Sequence, residues 1–450
     1  MADLEEVETG MAASMRVTPL IGTIVDQNPL LGAVNPAFSI PGKFKTGSQY
    51  LGLNMDLLSK HILMIGGTGC GKSNVMYHMV SAIKKKLTAK DVLIIFDTKG
   101  DFYSLFGTHQ DLMIGNSPFY SNRSQKWNFF KEVFADGQSP RTIEMNVNEL
   151  SWSIFRESIE KSKDPFFPNA ARELFATIIK YIVDMGIADR DYANKYFSNS
   201  EIKRAFDEST ILDIRDALIS DSSYSSVLSY IGDGENGQAL GVYAEMTSAL
   251  KKIFTGVFAD VGGFSMREFV RNKGGRTLFI EYDLAIGNVL SPIYSLLIDL
   301  ALKEALGRSK EDGNVYIICD EFRLLPYLQH IENAVNFGRS LGVKIIAGIQ
   351  SINQLYQSYG EYGGKNVLSG FSTLFAFKPN DAFTRDYISG YFGKNIVLEK
   401  FEDSKLQARE ERQPGHVVED WDLGNLQVGE AIIGFPFSHP FKFQFDLFRR

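Results

Sequence analysis

Residues Ile65 to Asn74, IGGTGCGKSN, stand between the apolar run HILM and the helix-like VMYHMV. Gly66, Gly71, Lys72 and Ser73 satisfy the spacing G-x-x-x-x-G-K-[ST]. Glycines let backbone N–H groups curl around a phosphate without side-chain collision. The helix that follows turns its unpaired N–H groups and positive dipole end toward the same anion. Lys72 is expected to reach the β- and γ-phosphates and Ser73 to ligate Mg²⁺, with Gly66, Thr68, Gly69, Gly71 and Asn74 completing the nucleotide cradle. A chance glycine turn would need neither the strand before nor the helix after.

The rest of the chain has the alternation such a loop requires. VLIIF (92–96), TLFIEY (277–282), VYIICD (315–320), VKIIAGIQ (343–350) and TLFAFK (373–378) are strand-like, with helical patterns between them. That order predicts an α/β fold with a mostly parallel sheet covered on both faces. Between about Pro140 and Lys252 the period changes. In NAARELFATIIKYIVDM, Leu174, Ile178, Ile182 and Met185 recur at helical spacing, with Asn169 expected as N-cap just after Pro168. The expected organisation is an acidic mobile tail over 1–17, a nucleotide-binding domain built from 18–139 and 253–450, and an inserted all-α domain over 140–252. The terminal FKFQFDLFRR reads as a closing strand.

Composition narrows the setting. No charge-free stretch reaches the ~18–20 apolar residues of a membrane helix, and MADLEEVETG lacks the basic-then-apolar order of a secretion signal. Two cysteines, Cys70 and Cys319, give no disulfide framework and fit a reducing, cytoplasmic compartment. A net charge of −7 argues against indiscriminate nucleic-acid binding by the whole surface, though not against a locally basic channel.

A second acidic site is needed for hydrolysis. VYIICDE places Asp320 and Glu321 at the end of an apolar strand, where open α/β sheets put their ligand crevice. Asp320 is expected to hold the Mg²⁺ shell and Glu321 to orient and deprotonate the attacking water. VLIIFD is a rival for the magnesium role, but it offers a single acid, Asp97. Gln350, ending the next strand, either senses the γ-phosphate or caps the strand. Arg339, in NFGRSLG, is either an arginine finger supplied across a ring interface or an ordinary surface arginine. Cys70 reads as a small filler whose thiol, if exposed, could be oxidised. The run Lys84–Lys86 reads as a solvated helix end.

Taken together, HILMIGGTGCGKS (61–73), FDTKGDF (96–102), WNFF (127–130), DPFF (164–167) with Ala171 and Arg172, and DEFRLLPYLQHIENAVNFGRSLGVKIIAGIQSINQLYQSYG (320–360) resemble the HerA/FtsK superfamily of ring-forming pumping ATPases. Within it they resemble type IV secretion coupling proteins of the TraG/TraD type. The resemblance implies a RecA-like P-loop motor domain, an inserted all-α domain, ATP and Mg²⁺ as cofactors, and a homo-hexamer around a channel. It also implies the roles given above for Lys72, Ser73, Asp320, Glu321, Arg339 and Gln350. The implied function is ATP-driven pumping of DNA or a DNA–relaxase complex into a secretion channel, with protein effectors as the alternative cargo. Family members usually begin with membrane helices and this sequence shows none, so the expectation is either a piece of a longer protein or a naturally soluble relative; in the second case it is expected to be peripheral to the inner membrane through secretion-channel or membrane-bound partners. Two other readings compete: a scaffold whose nucleotide only sets oligomeric state, and the other ring ATPase of the same secretion machines. The Phe after the acidic pair and the Q-S-x-x-Q-L stretch argue against the latter.

Overall fold

The structure is a computed structural model and describes residues 18–21, 31–33, 35–402 and 408–449. The tail expected over 1–17 lies outside them. In chain order the strands are β1 (Thr18–Ile21), β2 (Phe38–Phe44), β3 (Gly47–Leu53), β4 (Ile62–Ile65), β5 (Val92–Asp97), β6 (Leu112–Ile114) and β7 (Arg276–Glu281). They continue as β8 (Val315–Cys319), β9 (Val343–Ile349), β10 (Thr373–Ala376), β11 (Lys394–Glu402), β12 (Ala408–His416), β13 (Glu430–Gly434) and β14 (Phe441–Phe445). The chain divides into two compact units. The first comprises Met1–Lys86, Cys319–Arg323 and Lys344–Arg450; the second comprises Leu87–Ile318 and Leu324–Val343.

In unit 1 the strands run in the order β3-β2-β14-β13-β10-β4-β9. The heart of this sheet is parallel, β4 lying between β10 and β9. Its other flank is antiparallel, β13 pairing with β10 and β14 in turn pairing with β13 and β2. β4 (ILMI) is buried along its whole length, as a strand covered on both faces must be. The chain leaves β4 through the glycine-rich loop into a helix, α1 (Lys72–Lys86). Val75, Met76, Met79, Val80 and Ile83 give α1 one buried stripe, and Lys84, Lys85 and Lys86 close it where the dipole is negative. A separate small sheet in this unit has the order β1-β11-β12.

Unit 2 carries β8-β5-β7-β6, with β5 and β6 each parallel to β7. Between Pro140 and Ile253 its described residues form helices and one short 3₁₀ turn, without a strand. Ser139 caps the first of these helices, which has proline at its start. Asn169 is not the N-cap that the sequence led us to expect. That helix begins at Phe166, whose N–H is taken by the Asp164 carboxylate, so Pro168 falls inside the first turn, where proline is tolerated. Asn169 instead donates to the carbonyl of Pro165 from within the helix.

WNFF forms a buried joint in unit 2. Trp127, Phe129 and Phe130 are essentially without exposure and pack edge-on or stacked against Phe175, Phe197 and Phe254. The fully buried Glu132 accepts from Trp127 Nε1 at 2.9 Å, from the Ser265 hydroxyl and from the Met266 N–H, which is how a carboxyl survives in that core. Among the described residues no helix is long and apolar enough to cross a membrane.

Candidate functional site

The site is assembled from unit 1 alone. β4 delivers Gly66 and α1 begins at Lys72, so the loop between them is fixed at both ends by regular structure. Gly69 (φ 77°) and Gly71 (φ 111°) occupy backbone conformations that L side chains rarely adopt, which is why the loop turns at glycines. Thr68 and Gly69 form its exposed tip. Lys72 is buried, and its Nζ donates to the carbonyls of Gly66 at 2.5 Å and Gly67 at 3.0 Å. The ammonium is therefore held inside the curl of the loop, where a phosphate would sit.

Ser73 and Asp320, 247 residues apart in sequence, meet here: the Ser73 Oγ lies 3.1 Å from both carboxylate oxygens of Asp320. A hydroxyl beside a buried carboxylate is the sparse oxygen set that suits Mg²⁺, which keeps several waters and takes other ligands from phosphates. Among the described residues no group of three or more His, Cys, Asp or Glu could hold a metal by itself.

Glu321 follows Asp320 out of the strand. Its Oε2 accepts from Gln350 Nε2 at 2.5 Å, and its Oε1 lies 3.2 Å from Arg323 Nε. Oε1 is buried and makes no hydrogen bond among the described residues. The Arg323 guanidinium is its ion-pair neighbour, so Gln350 braces one oxygen of the carboxylate by a hydrogen bond and Arg323 braces the other by charge. Burial pushes the Glu321 carboxyl above the usual carboxylate range; the Gln350 hydrogen bond and the Arg323 and Lys72 cations pull it back, and the like charge of Asp320 adds to the rise. A carboxylate made more basic by its surroundings is better suited to accept a proton from water.

Gln350, placed by the end of β9, touches Glu321, and its own N–H donates to Gln354 Oε1 at 3.3 Å. Asn74 turns its side chain to the backbone of residues 446 and 448. Arg339 belongs to unit 2, exposed on the turn Gly338–Leu341. Cys70 is buried rather than exposed, and burial pushes its thiol up while the charge of Lys72 pulls it back. The reading from sequence did not single out Arg323 or Gln354. Arg323 lies two residues past Glu321, and Gln354 is the second glutamine of Q-S-x-x-Q; both positions were visible, but nothing local says which way they point.

The rival acid, Asp97 of unit 2, is spent locally. Its carboxylate accepts the N–H groups of Lys99 and Tyr103, ordering the turn into the helix Asp101–Phe106. Burial pushes it up to about 6.

A family model for the type IV secretion-system coupling protein DNA-binding domain matches residues 49–418. The coupling protein TraD of Escherichia coli K12 is 22% identical over 351 residues, covering 75% of this chain and 44% of TraD, so the chain spans less than half that relative's length. Among solved structures, the bacterial conjugative coupling protein TrwBΔN70 in an unbound form superposes with a TM-score of 0.73 at 21% identity, over 89% of this chain and 87% of that one. TrwB in complex with ADP and Mg²⁺ gives 0.71 at 22% identity, over 89% and 88%. At these identities the structures establish the fold, and the family match extends over most of the sequence. The chain belongs to the type IV secretion-system coupling protein DNA-binding domain family.

Proposed function

We infer that this chain is an ATP-hydrolysing motor that moves DNA, or DNA with an attached protein, toward a secretion channel. The observation that carries the reading is the convergence on one loop of Lys72, the Ser73–Asp320 pair and a braced Glu321 with one oxygen that accepts no hydrogen bond. Lys72 would bind the β- and γ-phosphates, and Ser73 and Asp320 would hold magnesium, which supplies neutralisation of phosphate charge. Glu321 Oε1 would accept the proton of the attacking water, and Gln350 would report the γ-phosphate to Glu321 through the bond they share. Nothing here requires a covalent intermediate.

Motor action needs more than one copy. In this reading the protein works as a homo-hexamer, with Arg339 offered to a neighbour's nucleotide and single strands passing a channel lined by lysines and arginines. The helical stretch 140–252 serves as an inserted all-α domain that meets cargo or relaxase. The test is ATP hydrolysis with and without DNA: DNA should stimulate it, the stimulation should fall as salt rises, and Lys72→Ala should abolish it. Absence of stimulation by any DNA would turn the reading to its second form, favoured by the net charge of −7, in which protein effectors alone are carried. Capture of secreted proteins by the full chain in the ATP state would then be expected.

A further inference from the structure

The helical part of unit 2 holds a cleft that the nucleotide reading does not use. Four consecutive helices wall it: Phe166–Ala188, Arg190–Tyr196, Asn199–Glu208 and Ile211–Ile219. It has about 660 Å³ of open volume, within the range of small-molecule sites. Its lining is mostly apolar, with Ile178, Ile182, Ile202, Ile214 and Leu218 supplying aliphatic surface. Three tyrosines, Tyr181, Tyr192 and Tyr196, line it as well. The Tyr192 and Tyr196 ring centroids are 4.3 Å apart. Burial pushes the Tyr192 phenol up, and the nearby Tyr181 and Tyr196 phenols add to the rise. Among the described residues none of the three hydroxyls makes a hydrogen bond.

The charge of this lining has one sign. Glu201 and Asp213 border the cleft, and among the described residues no lysine or arginine lines it. Glu201 pairs with Arg204 at 2.9 Å, but Arg204 is shared with Glu208 at 2.6 Å, so the trio stays negative. Asp213 accepts the Thr210 hydroxyl and N–H through Oδ2, each at 2.7 Å. Those bonds hold its carboxyl below the usual range, and among the described residues no cation pairs with it. Grouped tyrosines would suit a nucleobase, but its phosphodiester would have to approach two carboxylates with no base in the lining to offset them. A cation has the opposite sign and gains from the same acids. Its carbon body covers the aliphatic wall, and its N–H groups find acceptors in the open phenol oxygens.

We propose that this cleft is a binding site for a small organic cation, an ammonium group carried on an apolar stem. The site does not depend on the nucleotide reading. Calorimetry on the full chain compares three probes with one stem: phenethylammonium, phenethyl alcohol and hydrocinnamate. The ammonium should bind with a Kd of roughly 0.1–1 mM, as suits a ligand of its size. The alcohol should bind about tenfold more weakly, the worth of two partly screened charge contacts, and the carboxylate not measurably. Glu201→Gln/Asp213→Asn keeps a hydrogen-bonding side chain at both positions and removes both charges. It should cost the ammonium roughly tenfold and leave the alcohol within about twofold. Tyr192→Leu tests the location without touching charge, and should weaken the ammonium by roughly threefold or more. Equal binding of the three probes, no binding of the ammonium, or a wild-type ammonium affinity in either folded variant overturns the site.

Discussion

Two strand ends in this molecule look alike on paper. VLIIFD and VYIICDE are both apolar runs closed by an acid, and both acids, Asp97 and Asp320, are buried. In unit 2 the Asp97 oxygens are consumed by the N–H groups of the next turn. In unit 1 Asp320 faces the hydroxyl that opens α1, and the adjacent Glu321 keeps one oxygen that accepts no hydrogen bond among the described residues. An acid at a strand end is therefore a candidate for chemistry by virtue of the valence its surroundings leave unspent. Position in the strand does not decide it.

The comparison can be broken in graded steps. Of these variants Lys72→Ala should have the largest effect, abolishing measurable ATP turnover, since in the proposed reading it removes a charge aimed at the transferred phosphoryl group; phosphate release measures it. Ser73→Ala should raise the Mg²⁺ needed for half-maximal turnover by roughly tenfold, the cost typical of a lost partner at a metal site. A magnesium titration of turnover that does not move would separate Ser73 from the metal.

Arg323→Ala acts more subtly. Arg323 favours the ionised form of Glu321, so its removal should push that carboxyl further up and shift the acidic limb of the pH–rate profile to higher pH. Glu321 must be ionised to act as a base, so wild-type turnover falls as pH falls through its raised pKa.

Asp97→Asn should change turnover least, within about twofold, and should show itself in stability instead. The folded pKa, about 6, lies above the ordinary 3.8, so the folded state binds the proton more tightly. The resulting stabilisation is present in full below pH ~4 and is lost as pH rises through about 6, amounting to about 3 kcal/mol. The variant should lack that slope in urea unfolding followed between those pH values.

Much of this was legible in the letters because it is local. The G-x-x-x-x-G-K-S spacing, the buried strands and the helical period over 140–252 are all read within windows of a few turns. The α/β class follows from them, while the coupling-protein family rests on the resemblance of the longer motifs at 61–73, 96–102, 127–130, 164–167 and 320–360. Long-range placement was less legible. Nothing near Asn74 foretells that its amide will be occupied by residues 446 and 448, and the antiparallel flank formed by β13, β14 and β2 depends on pairing between the two ends of the chain. Asn169 failed as a cap because the competing signal, Asp164, sits on the far side of two phenylalanines and two prolines. Arg323 was hidden for a similar reason: its distance to Glu321 is set by a short turn, Phe322–Leu324, whose direction the sequence does not announce.

The most direct measurement is ATP binding and ATP turnover on one preparation of Glu321→Gln, which keeps a hydrogen-bonding side chain beside Gln350 and Arg323 but removes the base. Binding should stay within about threefold of wild type while turnover falls by roughly a hundredfold to ten-thousandfold. Turnover that persists near the wild-type rate with binding intact would contradict the assignment of water activation to the end of β8.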